Sequence, residues 1–210
     1  MNQNLIQFTK DIAGQNPAFA YVFFFISAVL QILFPPYPGD TVLILEGYLA
    51  SKGLFNTYLI ALNAIAGTFL SCLLLYHASY TLGDRIFKIP FINKYFPSYK
   101  IDKLIEWFKK YGSAAILISK FVPGIGSLTM IVAGTFKVPQ LKAYAAMGAA
   151  SVIHNSFLVF LGKTAGDNIK LIKEIFIKYN IIIIAAALIS AGLYWYIKSY
   201  IKSREYRKNL

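Results

Sequence analysis

Charged residues divide the chain into long apolar stretches. Four stretches contain no charged residue, namely residues 12–39, 53–83, 143–162 and 179–197. A bilayer core about 30 Å thick is crossed by roughly 20 helical residues, so each stretch is long enough to contain a membrane-spanning helix. We therefore predict spans at about residues 18–34, 58–82, 143–162 and 181–197.

Two shorter apolar pieces cannot cross a membrane in the ordinary way. Residues 41–51 follow a cluster of proline and glycine and are interrupted by Glu46, whereas residues 113–136 are broken by Lys120 and by proline and glycine. Proline removes a backbone donor and glycine admits left-handed conformations, so these clusters break helices. A helix break inside the membrane is tolerated only where protein surrounds it or where it lines a water-filled cavity. We predict two re-entrant hairpins, with two loops at headgroup level as the alternative. The breaks consist of Pro35, Pro36, Pro38 and Gly39 before the first piece and of Pro123, Gly124 and Gly126 within the second.

Residues 100–111 follow another pattern. Apolar residues recur at helical spacing, and most of the charged ones lie on the opposite side of the helix. This pattern predicts an amphipathic helix that lies in the membrane interface. A solvated helix that caps the bundle is an equally good interpretation.

Composition agrees with a membrane protein. Hydrophobic residues make up 57% of the 210 residues and charged residues 14%, whereas soluble domains are about 25% charged. The net charge of +12 comes from 21 Lys+Arg against 9 Asp+Glu. Most of these basic residues lie in residues 84–110 and 198–210, which the positive-inside tendency places in the cytoplasm. We therefore expect anionic lipid headgroups at the cytoplasmic face as partners, and no nucleic acid.

The two halves of the chain resemble each other. Pro38-Gly39, Glu46-Gly47-Tyr48 and Leu82-Gly83-Asp84 correspond to Pro123-Gly124, Ala133-Gly134-Thr135 and Ala165-Gly166-Asp167. Each unit holds one hairpin and one crossing, so the second copy is inverted relative to the first, as in many secondary transporters. Chance similarity between glycine-rich segments is the alternative.

The predicted fold is an all-α membrane protein with about four transmembrane helices and two re-entrant helical hairpins related as inverted repeats. Residues 1–210 form a single membrane domain. Its predicted parts are repeat 1 at about residues 35–84, an amphipathic linker at 85–111, repeat 2 at about 112–167, a C-terminal transmembrane helix at 180–198 and a basic cytoplasmic tail at 199–210.

Few ionisable residues lie among the apolar segments. Asp40 follows the first helix break and either caps the next helix or acts as a functional carboxylate. Glu46 lies inside an apolar run, where an ionisable group is costly and usually marks a pathway or a proton site. We predict that both carboxylates couple transport to protons or ions. Glu46 would be merely solvated if its run were a surface loop.

Lys120 precedes the second helix break. A lysine is a compact cation suited to a phosphate, and backbone donors of the broken helices could contribute to binding an anion. We predict that Lys120, Pro123, Gly124 and Gly126 bind the substrate. A lysine that extends to the interface is the alternative.

His154 and Asn155 lie in the third predicted span, where they either line a polar cavity or join helices by hydrogen bonds. The sequence has no spacing of ligands that predicts a metal site, and we expect no cofactor. It also lacks the common hydrolase and nucleotide-binding motifs, so we expect a protein that is not an enzyme.

The stretches FPPYPGDTVLILEGYLASKG (residues 34–53) and KFVPGIGSLTMIVAG (residues 120–134) resemble the DedA family, the bacterial relatives of the VTT (SNARE-associated) membrane proteins. The likeness covers about residues 31–167. It implies inward-facing hairpins and movement of lipids between leaflets, with undecaprenyl phosphate and phosphatidylethanolamine among the family's proposed substrates. The family usually has an acidic residue where Gln31 stands and arginines where Lys120 and Gly126 stand.

We therefore expect a secondary transporter or flippase of the bacterial inner membrane. It would move a phospholipid or a polyprenyl-phosphate lipid between leaflets, coupled to protons or ions. A small-anion or proton-coupled ion transporter with the same fold is one alternative, and a non-transporting scaffold for membrane assembly is another. The sequence is compatible with a homo-oligomer.

Overall fold

The computed structural model describes residues 17–35, 37–90, 92, 98–122 and 125–165. We number its α-helices in chain order: α1 Pro17–Leu33, α2 Gly39–Ser51, α3 Thr57–Leu82, α4 Ser98–Tyr111, α5 Ala114–Lys120, α6 Gly126–Thr135 and α7 Gln140–Ala165. A 3-10 helix, Gly83–Lys88, follows α3. These described residues contain no strand, which agrees with the predicted all-α fold. The predicted span at residues 181–197 and the basic tail lie outside them.

The two longest helices, α3 and α7, form the centre of the bundle. Each has 26 residues, which corresponds to a length of about 39 Å at 1.5 Å per residue. In the described part of the chain, two helical segments are long and apolar enough to cross a membrane, Thr57–Lys88 and Gln140–Ala165. They match the predicted spans at 58–82 and 143–162.

Contacts along α3 and α7 show that the two helices run antiparallel. Tyr58 at the start of α3 packs against Phe160 near the end of α7, with ring centroids 6.5 Å apart. At the other end, the Tyr144 hydroxyl lies 2.7 Å from Nε2 of His77. The start of α3 is fixed by Asn56, whose side chain accepts hydrogen bonds from the first free amides of the helix.

Helices α1 and α2 form a hairpin beside the first half of α3. The side chain of Asn63 in α3 donates to the Tyr21 carbonyl of α1 (2.7 Å), and Gln31 near the end of α1 reaches Thr68, halfway along α3. The chain then returns along α2 to the first part of α1. This return is shown by the Asn56 amide, just before α3, which donates to the Tyr21 hydroxyl (3.2 Å). We predicted a full crossing for this first apolar helix. The structure instead makes α1 one arm of a hairpin.

Helices α5 and α6 form a second hairpin beside the first half of α7. Ile116 of α5 shares a core cluster with Ala143 near the start of α7. Phe121, just after α5, meets His154 halfway along α7, with ring centroids 5.4 Å apart. Because α3 and α7 are antiparallel, the two hairpins enter the bundle from opposite ends. Their tips meet in the middle, where the Ser127 hydroxyl of α6 donates to the Ile32 carbonyl of α1 (2.5 Å).

Each returning arm packs against the long helix of the other half, so α2 lies on α7 and α6 lies on α3. Glycine makes both contacts close. A Cβ at Gly47 would overlap the Val159 carbonyl oxygen of α7, and one at Gly134 would overlap the Tyr76 carbonyl oxygen of α3. Gly162 of α7 faces the Ile44 carbonyl in the same way. Small residues allow this approach of backbones, as is common between membrane helices.

Helix α4 is amphipathic, as predicted. Its buried residue Leu104 packs with Leu128, Ile131 and Val132 of α6 and with Ile86 of the 3-10 helix. Its charged side chains from Asp102 to Lys110 are exposed. The apolar face of α4 is therefore buried against the second hairpin, which favours the interpretation of a helix that caps the bundle.

Large apolar side chains cover the outside of the bundle. The exposed ones on α1, α3 and α7 include Phe19, Val22, Phe23 and Ile26 of α1, Tyr58, Leu59, Leu62, Leu70 and Leu74 of α3, and Leu141, Val152, Ile153, Phe157 and Phe160 of α7. Soluble monomeric proteins rarely expose apolar patches of this size to water. These surfaces are suited to the hydrocarbon of a bilayer.

Candidate functional site

Polar side chains gather where the hairpin tips meet. Asp40 lies in the first turn of α2, where a helix N-terminus favours negative charge. The Gln31 amide of α1 donates to Asp40 Oδ1 (2.5 Å). We considered that Asp40 caps its helix, but the cap position is Pro38 and makes no side-chain capping bond. Gly39 is required beside Gln31, since a Cβ there would overlap that side chain.

The amide of Asn155 connects α7 to α3. Its Nδ2 donates to the Ala64 carbonyl (3.0 Å) and to the Thr68 hydroxyl (2.8 Å). The Thr68 hydroxyl in turn lies 3.5 Å from Oε1 of Gln31. All of these groups are buried or half-buried, so the hydrogen bonds satisfy polar groups that would otherwise be costly at this depth.

His154 links this network to the carboxylate. Its Nε2 lies 3.9 Å from Asp40 Oδ1, and its Nδ1 lies 3.4 Å from Asn155 Oδ1. The Phe121 ring from the second hairpin covers the imidazole edge-on. Asp40 and His154 therefore form a weak ion pair when the imidazole is protonated, and residues from both hairpins touch it.

Lys120, the last residue of α5, brings a positive charge to the same region. Its ammonium group lies near enough to Asp40 and His154 for an electrostatic interaction with each. The lysine also lines a cavity of about 10 Å³, close to the space that one water molecule occupies. Ser151 lines this cavity too, and its hydroxyl is buried without a hydrogen-bond partner among the described residues.

Gly126, the first residue of α6, borders the same cavity. A Cβ built there meets no atom of the described residues within 4 Å, so among them this glycine leaves open space beside Lys120. The N-terminus of α6 has no side-chain cap, and its free amides add positive partial charge on this side. Pro123 and Gly124, which we also predicted to bind substrate, lie outside the described residues, as does Pro36 of the first break.

The structure thus brings together Asp40, Lys120, His154 and Asn155, four residues predicted from the sequence. It does not bring Glu46 to them. Glu46 follows Asp40 by six residues and is completely buried elsewhere along α2. Pro35 and Pro38 lie at the break between α1 and α2, as predicted.

Sequence reasoning missed two members of the site. Thr68 lies beside Gly67, and its place in a run with this small residue predicts a close-packed helix face rather than a site. That glycine does pack closely on α1, since a Cβ would lie 2.9 Å from Ala28 Cβ, but Thr68 bonds to Asn155. Gln31 was noted only as a departure from a family pattern. Its position nine residues before Asp40, across the break, was the available signal.

Within the described residues, no group of three or more His, Cys, Asp or Glu side chains is placed to hold a metal ion. The chemistry at the tips is therefore that of one carboxylate, one ammonium group, one imidazole and several hydrogen-bonding groups. Such a set can bind an anion or a zwitterion, and its net charge changes when one group takes up a proton.

The fold defines the class of protein: a helical membrane protein with two opposed hairpins whose polar tips meet inside the bundle. Residues 37–164 match the VTT domain family, and the chain belongs to that family. The resemblance to DedA proteins is confirmed by the protein DedA of Escherichia coli, which is 24% identical over 136 residues, covering 62% of this chain and 62% of the relative.

Two other relatives are similar over most of their length. The uncharacterized membrane protein YbfM of Bacillus subtilis is 28% identical over 154 residues, covering 70% of this chain and 91% of the relative. Undecaprenyl phosphate transporter A of the same organism is 28% identical over 167 residues, covering 77% and 81%. No solved structure matches the chain.

Proposed function

We propose that this protein moves a phosphate-bearing lipid between the leaflets of the bacterial inner membrane. One observation carries the proposal: the charged and polar side chains of both hairpin tips gather beside the middle of α3 and α7, where a bilayer offers no water. Ionisable groups at such a depth are costly and usually mark a transport pathway. The name of the relative, undecaprenyl phosphate transporter A, supports a lipid phosphate as the cargo.

The packing of the two halves supports an alternating-access mechanism. Gly47 meets α7 at Val159 and Lys163, and Gly134 meets α3 at Tyr76 and Tyr80. Each of these α3 residues precedes its counterpart in α7 by 83 positions, as expected for inverted repeats. In such folds one half rocks against the other around a central site. We infer that each hairpin closes the pathway from one side.

Lys120 is the proposed phosphate ligand. In the described conformation Asp40 is near enough to interact with its ammonium group, and we infer that an ionised Asp40 compensates part of the charge of the lysine. Protonation of Asp40 would remove this compensation and leave Lys120 available to a phosphate. The amides at the start of α6 would add further donors. This exchange would couple substrate binding to proton uptake.

A small anion is the second candidate cargo. The cavity beside Lys120 holds about one water molecule, and a lipid headgroup does not fit it without movement of the hairpin tips. A single lysine, with Gly126 beside it, is also a weaker site for a highly charged phosphate than the arginine fork that binds phosphate bidentately.

The experiment is headgroup translocation in proteoliposomes, measured separately with undecaprenyl phosphate and with fluorescent phosphatidylethanolamine. We expect Lys120→Ala and Asp40→Asn to lower the rate at least tenfold. Lys142→Ala is the matched control, because Lys142 is an exposed lysine at the start of α7. It should leave the rate unchanged.

The outcomes separate the candidates. Wild-type flux of chloride or inorganic phosphate without lipid translocation would support the small-anion transporter. Lipid translocation that survives both substitutions would contradict the site. No translocation of any cargo by the wild-type protein would contradict the proposal and support the scaffold hypothesis.

A further inference from the structure

Glu46 is the charged residue that the site at the hairpin tips does not use. Its side chain is 0% exposed, and neither carboxyl oxygen has a hydrogen-bond partner among the described residues. Buried carboxyl groups are nearly always paired or hydrogen-bonded. An ionised carboxylate in this position would lack any compensation for the water it has lost, which strongly disfavours the charged form.

The residue cannot turn toward water in this conformation. Helix α2 is held against α7 on both sides of Glu46, because the Ile44 carbonyl faces Gly162 and Gly47 faces the Val159 carbonyl. These are contacts between backbone atoms, so α2 cannot roll without overlap. The buried position of Glu46 is therefore fixed by the helix pair rather than by a choice of rotamer.

The titratable groups on neighbouring helices are engaged elsewhere. On α7, His154 faces Asp40 at the tip, and the Lys163 side chain is exposed. On α1, the Tyr21 hydroxyl accepts from the Asn56 amide. On α3, the Tyr76 hydroxyl donates to the Val138 carbonyl. Within the described residues, no charged group compensates a negative charge at Glu46.

We propose that Glu46 is a proton-binding site separate from the Asp40 network, occupied by a proton whenever α2 is packed on α7. A proton is favoured over a metal cation, because hard cations need several oxygen ligands and no group of three or more His, Cys, Asp or Glu side chains lies together among the described residues. Release of the proton requires water or a counter-ion, and therefore a different position of α2. The role of Glu46 as a coupling site rests on the proposed function, but proton binding itself does not.

Infrared spectroscopy of the protein in lipid nanodiscs tests the site. At neutral pH the spectrum should contain the carbonyl stretch of a protonated carboxylic acid, and ¹³C-labelled glutamate should shift it in the wild-type chain. The band should vanish in Glu46→Gln. It should remain in Glu106→Gln, the matched control, because Glu106 is exposed on α4.

Absence of a protonated glutamic acid band in the labelled wild-type protein would overturn the proposal, and this result does not depend on the folding of a variant. A band that survives Glu46→Gln would overturn it as well. A sodium-dependent but pH-independent change in the band would show a cation site instead. Neither spectrum requires a transported substrate, so failure of the proposed function leaves this test intact.

Hydrogen exchange tests the link to movement. When the pH is raised until the band disappears, amides of α2 should exchange faster relative to those of α3 in the wild-type protein. In Glu46→Gln the ratio of the two exchange rates should stay constant. An equal rise in both proteins would show that α2 moves independently of the proton.

Discussion

The contact between α2 and α7 should not tolerate a single added methyl group. In Gly47→Ala the new Cβ would overlap the Val159 carbonyl oxygen and would lie about 3.0 Å from the Lys163 amide nitrogen. Both neighbours are backbone atoms of a long helix, so neither can rotate away. The two helices would have to separate along the whole contact that fixes the first hairpin.

The magnitude follows from two opposing effects. Alanine favours a helix over glycine by about 1 kcal/mol, whereas overpacking of a close contact costs typically 1–3 kcal/mol and sometimes more. Because the overlap at Gly47 is with backbone, we expect a cost at the upper end of this range and a net loss of about 2 kcal/mol. At about 2–4 °C per kcal/mol for a chain of this size, the melting temperature should fall by roughly 4–8 °C.

Gly148→Ala is the matched control on α7. The nearest atom to a Cβ at Gly148 is Phe69 Cε2 at 3.8 Å, an ordinary van der Waals contact. This substitution should leave the stability unchanged or raise it slightly, through helix propensity. The assay is thermal unfolding of both variants and the wild-type protein in the same nanodiscs. Equal melting temperatures for Gly47→Ala and Gly148→Ala would refute the reasoning from backbone contact.

Three further predictions concern the site and the topology. Asn155→Ala removes the hydrogen bonds to Ala64 and Thr68, and at about 0.6–1.7 kcal/mol for each interhelical bond in a membrane it should lower the melting temperature. A melting temperature equal to that of the wild type would show that the network does not hold α3 and α7 together. In Gly126→Arg the new Cβ meets no atom of the described residues within 4 Å, and the added guanidinium should tighten binding of inorganic phosphate beside Lys120. Weaker phosphate binding would contradict the anion site at the second tip. Ser203→Cys in the basic tail should react with a membrane-impermeant thiol reagent only in inside-out vesicles, and labelling in intact cells would reverse the predicted orientation.

The helical pattern of the chain predicted much of the fold. Long charge-free stretches correctly located α3 and α7, because a membrane helix must satisfy its backbone internally and present apolar side chains over about 20 residues. Proline and glycine located the breaks before α2 and α6, because these residues act on the local backbone. Helix α4 was predictable for the same reason, because its amphipathic pattern depends only on residues three or four apart in the chain.

The depth reached by α1 was not predictable in the same way. Its 17 residues are apolar enough to suggest a crossing, but Gln31 at its end meets Thr68 halfway along α3. Apolar length measures only what a helix can span. How far it reaches depends on the partner beside which it packs, and that partner is remote in sequence.

The candidate site shows the same contrast between local signals in the sequence and contacts between remote helices. Asp40, Lys120 and His154 were identifiable one by one, because an ionisable residue inside an apolar run is costly and therefore conspicuous. The sequence did not show that these three residues lie together in the fold. The spacing of residues along the chain fixes the direction of a side chain on its own helix but says nothing about the register between helices. For that reason Thr68 was mistaken for a packing residue, and Glu46 was grouped with Asp40.

The sequence by itself determined that this chain is a helical membrane protein, where its helices break and which few residues could carry charge inside it. Those properties depend on local backbone preferences and on the cost of exposing polar groups to hydrocarbon. Only the tertiary structure decided which side chains meet at the tips of the two hairpins, so that Asp40, Lys120 and His154 share one site while Glu46 stands apart. The arrangement of these side chains depends on the register between helices that are far apart in the chain. This register is set by the close approach of backbones at Gly47, Gly134 and Gly162.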